Sequence, residues 1–188
     1  DHPAAAEYVR KAIELKPDYV QAHSNLAAIL RATGDFAAAA ASAETAITLD
    51  PGFAAAHSNL GNVREDQGDA EAALAAYREA CRFDPHFVEA HANAADLLRK
   101  LKRYEEALSV CDAIVDKRPD AARPYFCAGN ILRELLRTGE AIDAFRQAIA
   151  LQPRFAEAYC NLGNLLLRRG AFDEAIAVYQ EAIAIKPS

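Results

Sequence analysis

The chain has 188 residues, of which 52% are hydrophobic, so it can bury a sizeable core and is not disordered. Its 21 Lys and Arg against 27 Asp and Glu give a net charge of −6. This balance argues against a general nucleic-acid binder, because such proteins bind phosphate through basic surface. No uncharged apolar run approaches the roughly 20 residues of a membrane-spanning helix, so we expect no membrane insertion.

The four cysteines include no CxxC pair and are few for a fold held by disulfides, which predicts a reducing, cytoplasmic location. The chain begins with Asp1 and contains no methionine. We therefore expect its natural N-terminus, with any targeting signal, to be missing.

Prolines recur along the chain with a fixed period. Six of the eight stand 34 residues apart: Pro17, Pro51, Pro85, Pro119, Pro153 and Pro187. Proline supplies no N–H to a helix and moves the preceding residue out of the α region, so each of them predicts a helix end. Apolar residues recur at helical spacing twice in each period, with a break near Gly34, Gly68 and Gly170. The pattern therefore predicts two helices in every repeat.

In chain order, a half repeat at 3–19 comes first, with one helix at about 3–15. Five helical hairpins follow, at 20–53, 54–87, 88–121, 122–155 and 156–188, which makes eleven helices. Lys102 and Leu136 replace the turn glycine in the third and fourth hairpins, so the sequence determines the geometry of these two turns least.

The second hairpin shows the pattern most clearly. Its first helix is predicted over about 54–66 and its second over about 70–83. We expect three larger apolar residues to fill the space between hairpins: Leu60, Leu74 and Tyr77.

This hairpin resembles the tetratricopeptide repeat (TPR), and the resemblance covers the full chain. The matching residues are His57, Leu60, Gly61, Ala73, Tyr77, Ala80 and Pro85. The resemblance implies an all-α fold, a right-handed superhelix (α-solenoid) of about five and a half repeats that forms a single domain over 1–188. It also implies a protein-binding module and not an enzyme, with the first helix of each repeat on the inner, concave face.

Asparagine recurs on these first helices, although it is a poor helix former. Asn25, Asn59, Asn93 and Asn161 share one position of the repeat, and Asn62, Asn130 and Asn164 share another, where Asp96 also stands. Packed helices lie about 8–10 Å apart and an extended peptide advances about 3.3 Å per residue, so one amide per repeat meets about every third peptide group. An amide both donates and accepts hydrogen bonds. We therefore predict that these residues bind a polypeptide backbone; the alternative is that they bridge neighbouring helices.

The phrases around these asparagines, Ala-His-x-Asn-Leu and Ala-Tyr-x-Asn-Leu, resemble the repeat domain of the O-linked N-acetylglucosamine transferases. In that family an asparagine ladder holds the substrate polypeptide, which implies the same role for Asn25, Asn59, Asn93 and Asn161. Cys127 interrupts the series. Because the glycosyltransferase domain is absent, the resemblance implies at most a substrate-recruiting arm.

Basic side chains collect on the first helices of the later repeats. Arg99, Arg123 and Arg133 are predicted to select an acidic stretch of the partner by charge complementarity, and solvated helix surface is the alternative. No aromatic residues interleave with them for stacking on bases, so nucleic acid is not expected.

No catalytic, cofactor or metal site is predicted. His23, His57 and His91 recur every 34 residues, but adjacent repeats hold them near 10 Å apart, too far to share one ion. Cys81 and Cys111 are predicted to be buried, while Cys127 and Cys160 are placed where they could reach the groove. No motif for phosphate binding or nucleophilic catalysis is present.

Two other functions stay open beside the interaction scaffold. The chain could be a self-assembling module, because its terminal helices carry no polar cap. Apolar residues are expected on the outer faces of these two helices: Tyr8 and Ile13, and Ile176, Tyr179 and Ile183. The other alternative is the transferase arm described above.

Overall fold

The computed structural model describes residues 2–186, which form eleven α-helices and no strand. The helices are α1 His2–Leu15, α2 Val20–Ala32, α3 Phe36–Leu49, α4 Ala54–Asp66, α5 Ala70–Phe83, α6 Val88–Lys100, α7 Tyr104–Val115, α8 Ala122–Glu134, α9 Thr138–Leu151, α10 Ala156–Arg168 and α11 Phe172–Ile185. The predicted all-α fold is thus confirmed, and α4 and α5 have the predicted bounds. None of the described helices is long and apolar enough to cross a lipid bilayer.

The chain divides into two compact units, Asp1–Leu97 (unit 1) and Leu98–Ser188 (unit 2), with the boundary inside α6. In unit 1, α2 pairs with α3 and α4 with α5. In unit 2, α8 pairs with α9 and α10 with α11. That the whole chain forms a single domain stays a prediction.

The proline turns end the second helices as the sequence predicts. After α5 ends at Phe83, Asp84 has an extended backbone with φ −127° and ψ 93°. The N–H of Phe87 then donates to the carbonyl of Asp84 at 3.1 Å, which closes a β-turn around the proline. In α7 the helix ends early, at Val115. Pro187 lies outside the described residues.

The turns inside the hairpins all need one residue with a left-handed backbone. Glycine fills this position at Gly34, Gly68 and Gly170, with φ of 82°, 81° and 77°. Lys102 and Leu136 adopt the same conformation, with φ of 60° and 58°. In the fourth hairpin the N–H of Arg137 donates to the carbonyl of Leu132 at 2.9 Å, the bond that closes a helix end of this kind. The two turns that the sequence determined least therefore have the backbone conformation that glycine adopts at the other turns.

Glycine serves a different purpose inside three first helices, where an aromatic ring of the second helix lies against the backbone. A Cβ atom on Gly61 would lie 2.6 Å from the ring of Tyr77. The same relation holds between Gly129 and Phe145, at 2.7 Å, and between Gly163 and Tyr179, at 2.8 Å. In the first hairpin the equivalent residues are Ala27 and Ala43, both fully buried. A large ring therefore requires glycine opposite it, while a small side chain occurs with alanine.

Each unit has an apolar core between its helices. In unit 1 a cluster is formed by Ala6, Leu26, Leu30, Ala39, Ala40 and Val63. In unit 2 the cluster is Leu132, Ala141, Ile142, Phe145, Leu162, Leu165, Leu166 and Ala175. Leu74 and Tyr77 are buried as predicted, whereas Leu60 is only half-buried at the edge of the unit 1 cluster.

Replacing Leu136 by glycine should stabilise the protein. A left-handed backbone conformation destabilises a residue with a side chain by about 1–2 kcal/mol. Glycine avoids this cost, but its more flexible unfolded state offsets part of the gain, so we expect the free energy of unfolding to rise by about 0.5–1 kcal/mol. Urea denaturation measures the free energy of unfolding. The reverse change at an equivalent turn, Gly68→Leu, is the matched control and should destabilise; a loss of stability in Leu136→Gly would contradict the assignment.

Replacing each of the two leucines of the second hairpin by alanine should show which one lies in the core and which one at its edge. Leu74→Ala should cost about 2–5 kcal/mol because Leu74 is 1% exposed. Leu60→Ala should cost less, about 1 kcal/mol, since part of the side chain already contacts water. Equal losses in urea denaturation would show that Leu60 belongs to the core.

Candidate functional site

The predicted asparagines of unit 1 bridge successive first helices. Asn93 on α6 donates from Nδ2 to Oδ1 of Asn62 on α4 at 3.0 Å. Asn59 on α4 donates from Nδ2 to the backbone carbonyl and the hydroxyl of Ser24 on α2, at 3.0 and 2.9 Å. Asn25 is exposed and accepts from Gln21 at 2.9 Å on its own helix. Two of the amides therefore join residues that lie in different repeats.

Unit 2 contains the same kind of bridge. Asn161 on α10 donates from Nδ2 to Oδ1 of Asn130 on α8 at 2.9 Å. Asn130 is buried, with 8% of its surface exposed, while Asn161 is half-buried. Asn164 on α10 is exposed and accepts from the hydroxyl of Tyr179 at 2.7 Å.

The buried Tyr77 of α5 extends the bridge between Asn62 and Asn93, a contact that the sequence pattern did not predict. The Tyr77 hydroxyl lies 2.8 Å from Oδ1 of Asn62 and 2.9 Å from Oε2 of Glu65. Burial, and then the nearby Glu65 carboxylate, raise the pKa of Tyr77 well above its usual range, so it stays a neutral donor. Phe145 occupies the equivalent position in the fourth hairpin and brings no hydroxyl. The only sequence signal was the fixed spacing between the asparagine and the aromatic residue.

The bridges use part of each amide. Asn59, Asn93 and Asn161 are half-buried and engage Nδ2, and their Oδ1 atoms accept no hydrogen bond from the described residues. Each amide therefore keeps one acceptor for a partner. Asn93 and Asn161 also keep the second hydrogen of the NH₂ group, whereas Asn59 uses Nδ2 for both of its contacts with Ser24. Bridging between helices and binding of a polypeptide are compatible in this arrangement.

The three predicted arginines all belong to unit 2 by number. Arg99 is half-buried in the last turn of α6, and Arg123 is exposed in the first turn of α8. Arg133 is half-buried near the end of α8 and donates to Glu134 at 3.2 Å. An exposed ion pair of this kind contributes about 0–1 kcal/mol to stability. Arg133 could therefore exchange Glu134 for an acidic side chain of a bound partner at little cost.

The repeating histidines form hydrogen bonds to backbone carbonyls in the proline turns. His23 and His57 each use Nε2 to bond the carbonyl of the preceding Pro17 or Pro51, at 2.8 Å in both cases. His91 is buried and bonds the carbonyl of Phe87 through Nδ1 at 3.0 Å. Among the described residues, no group of three His, Cys, Asp or Glu side chains is arranged to hold a metal ion.

The cysteines differ in exposure from what the sequence suggested. Cys111 is buried as predicted, but Cys127 is buried too and does not reach the surface. Cys81 is half-buried, and burial, with a smaller effect of Asp84, raises the pKa of its thiol to about 12. Only Cys160, among the cysteines, is exposed.

The terminal helices of the chain expose apolar side chains. On α1, Tyr8 is 74% exposed, but Ile13 is half-buried and packs against the unit 1 core, so its predicted exposure was wrong. On α11, Ile176 and Ile183 are 56% and 63% exposed, while Tyr179 is half-buried. A cavity of about 440 Å³ between α10 and α11 is lined by Cys160, Asn161, Tyr179 and Ile183, among others.

Thiol modification should follow the exposure of the cysteines. Iodoacetamide at about pH 8 should alkylate Cys160 first, because alkylation requires an accessible thiolate. Cys81 should react slowly, since with a pKa of about 12 its thiol stays protonated at that pH. Mass spectrometry of timed digests gives the order, and Cys160→Ser should remove the fast phase. Rapid labelling of Cys127 in the folded protein would contradict its burial.

Comparison with known proteins gives the same repeat. The sequence profile described as "Tetratricopeptide repeat" matches residues 1–52, 29–86, 59–122 and 128–188. Comparison with curated proteins yields no match.

Solved structures share the fold at low identity. One is YrrB, described as a TPR protein with an unusual peptide-binding site: it is 24% identical, the match covers 97% of this chain and 94% of that one, and the TM-score is 0.65. PilF of Pseudomonas aeruginosa is 20% identical over 90% of this chain and 77% of its own, with a TM-score of 0.81. A thermophilic TPR protein of Thermus thermophilus is 24% identical over 90% of this chain and 92% of its own, with a TM-score of 0.74. At these identities the structures show the fold alone. Together with the profile, which covers nearly the whole chain, they show that the chain belongs to the tetratricopeptide repeat family.

Proposed function

We propose that the chain is a non-catalytic, cytoplasmic protein-interaction scaffold that binds an extended polypeptide along its first helices. The observation that carries the proposal is the set of half-buried amides of Asn59, Asn93 and Asn161. Each is held by a bond to the preceding first helix and keeps an oxygen for a partner.

The bridges favour binding because they fix the side chains beforehand. Ordering a flexible side chain at an interface costs about 0.5–1.5 kcal/mol, and an amide already held by a neighbouring helix avoids part of that cost. Each new backbone contact is worth only about 0.5–1.5 kcal/mol net, so several contacts in series are needed for useful affinity. Unit 1 supplies Asn25, Asn59, Asn62 and Asn93, and unit 2 supplies Asn130, Asn161 and Asn164.

The family supports a polypeptide as the class of partner. TPR proteins are typically interaction modules, and YrrB, which shares the fold, is described as having a peptide-binding site. In unit 2, Arg99, Arg123 and Arg133 add positive charge to the first helices, which favours an acidic stretch in the partner, mainly by speeding association.

Self-assembly is a second candidate, and the exposed apolar residues of α11 favour it. Ile176 and Ile183 lie on the outer face of the last hairpin, where a second copy could cover them. The substrate-recruiting arm of a larger transferase stays a prediction, as does the absence of nucleic-acid binding.

The asparagines can be tested with a dodecapeptide selected on the purified chain from a random display library. Asn59→Ala/Asn93→Ala/Asn161→Ala should weaken the peptide at least about tenfold, because several backbone contacts of about 0.5–1.5 kcal/mol are lost together. Fluorescence polarisation measures the affinity, and circular dichroism checks that the helices persist.

The matched control removes two exposed amides from second helices, Gln147→Ala/Gln180→Ala, and should leave the affinity unchanged. Unchanged binding by the triple variant would remove these asparagines from the mechanism. Failure of the selection to enrich any peptide would count against the scaffold itself.

A further inference from the structure

The side-chain oxygen of Asn62 is the centre of a hydrogen-bond network in unit 1. It accepts from Nδ2 of Asn93 at 3.0 Å and from the hydroxyl of Tyr77 at 2.8 Å. Tyr77 is fully buried and Asn62 is half-buried. The tyrosine hydroxyl therefore cannot contact a bound polypeptide. It can act on one only through the side chains beside it, which are Glu65 and Asn62, the latter bonded to Asn93.

The other repeats show what this position requires. Asn130 accepts from Asn161 at 2.9 Å in unit 2, and Asn164 accepts from Tyr179 at 2.7 Å. The third repeat has Asp96 at the same position. Asparagine and aspartate share a side-chain oxygen acceptor, so the common requirement is acceptance and not donation. The first repeat has Ala28 there, and Asn59 donates to Ser24 instead.

A bond to a fixed acceptor decides which way an asparagine amide faces. The last torsion of asparagine is broad and roughly two-fold, so an unbonded amide exchanges its oxygen and nitrogen at little cost. When the nitrogen of the Asn93 amide faces the Asn62 oxygen, a hydrogen bond forms. If the Asn93 oxygen faced it, two acceptors would meet with no hydrogen between them. The bond therefore turns the Asn93 oxygen away from Asn62.

We infer that Asn62 and Asn130 are positioning residues, which hold Asn93 and Asn161 so that each presents its amide oxygen to a bound polypeptide. The inference rests on the proposed function and specifies which group of the polypeptide the site recognises. Because an oxygen only accepts, the polypeptide must supply a backbone N–H at each contact with that oxygen. Proline, which has no N–H, is excluded there.

The network can be tested without a peptide, by hydrogen exchange of side-chain amides in ¹⁵N-labelled protein. A hydrogen bond of about 0.5–1.5 kcal/mol should slow exchange of one Asn93 side-chain hydrogen about two- to tenfold. Asn62→Asp keeps the acceptor and should keep the protection, whereas Asn62→Ala should abolish it. Protection of the Asn62 amide in place of Asn93 would overturn the inference, because Asn62 would then be the donor.

A reciprocal exchange of the aromatic residues provides a matched comparison. Tyr77→Phe removes the hydroxyl beside Asn62 and should lower the protection of Asn93. Phe145→Tyr places a hydroxyl at the equivalent position beside Asn130 and should raise the protection of Asn161. Both changes preserve the ring that packs against Gly61 or Gly129. Equal protection before and after both exchanges would show that the tyrosine has no part in positioning.

Binding is then measured with the selected dodecapeptide and with copies N-methylated at one backbone nitrogen at a time. In the wild-type chain, methylation at the contacted nitrogens should weaken binding at least about tenfold, because a donor is replaced by a methyl group facing an acceptor. Asn62→Ala should reduce this penalty to about twofold, since the released Asn93 amide no longer holds its oxygen towards that nitrogen and can turn to donate to a peptide carbonyl instead. Asn62→Asp should restore the wild-type pattern of penalties.

The outcomes separate the inference from the proposed function. If the peptide binds and the pattern of N-methyl penalties is the same in Asn62→Ala as in the wild type, the positioning role is overturned and the scaffold stands. If no N-methylation affects binding to the wild type, the backbone contacts of the proposed function fail, whatever hydrogen exchange shows for the network.

Discussion

The close approach of the two helices within a hairpin is the contact on which the candidate binding site depends. Tyr77 lies against the backbone at Gly61, where a Cβ atom would come within 2.6 Å of the ring. Only this closeness lets the tyrosine cross the hairpin and place its hydroxyl 2.8 Å from Asn62, the next residue of the first helix. The glycine therefore serves the core and the candidate site at once.

Core packing is consequently connected to the candidate binding site. The bridge from Asn62 to Asn93 reaches from the buried hydroxyl to a half-buried amide on the following first helix. In the proposed arrangement, a change of the aromatic ring would act on the amide of Asn93 through one intermediate residue, Asn62, without altering the exposed surface. Mutations that leave stability intact can thus still change how the amides are held.

The repeats are not equivalent in this respect, although they share one fold. In the fourth hairpin Phe145 stands at the position of Tyr77 and has no hydroxyl. Cys127 stands there at the position of the first asparagine and is buried. Ala28 removes the acceptor from the first hairpin, where Ser24 takes its place. Such differences give each repeat its own set of side chains at the candidate site, while the period of 34 residues stays the same.

The sequence alone determined the hairpins, because proline and the turn glycines act on their own backbone angles and the apolar period acts within one helix. The tertiary structure decided which amide atoms are engaged, since those bonds join residues about a repeat apart, and no local pattern shows whether an asparagine donates or accepts. It also decided that Leu136 takes the turn conformation of a glycine, with φ of 58°, which the residue type disfavours. Packing of the two flanking helices fixes that turn, and a preference of about 1–2 kcal/mol at a single residue is too weak to oppose it.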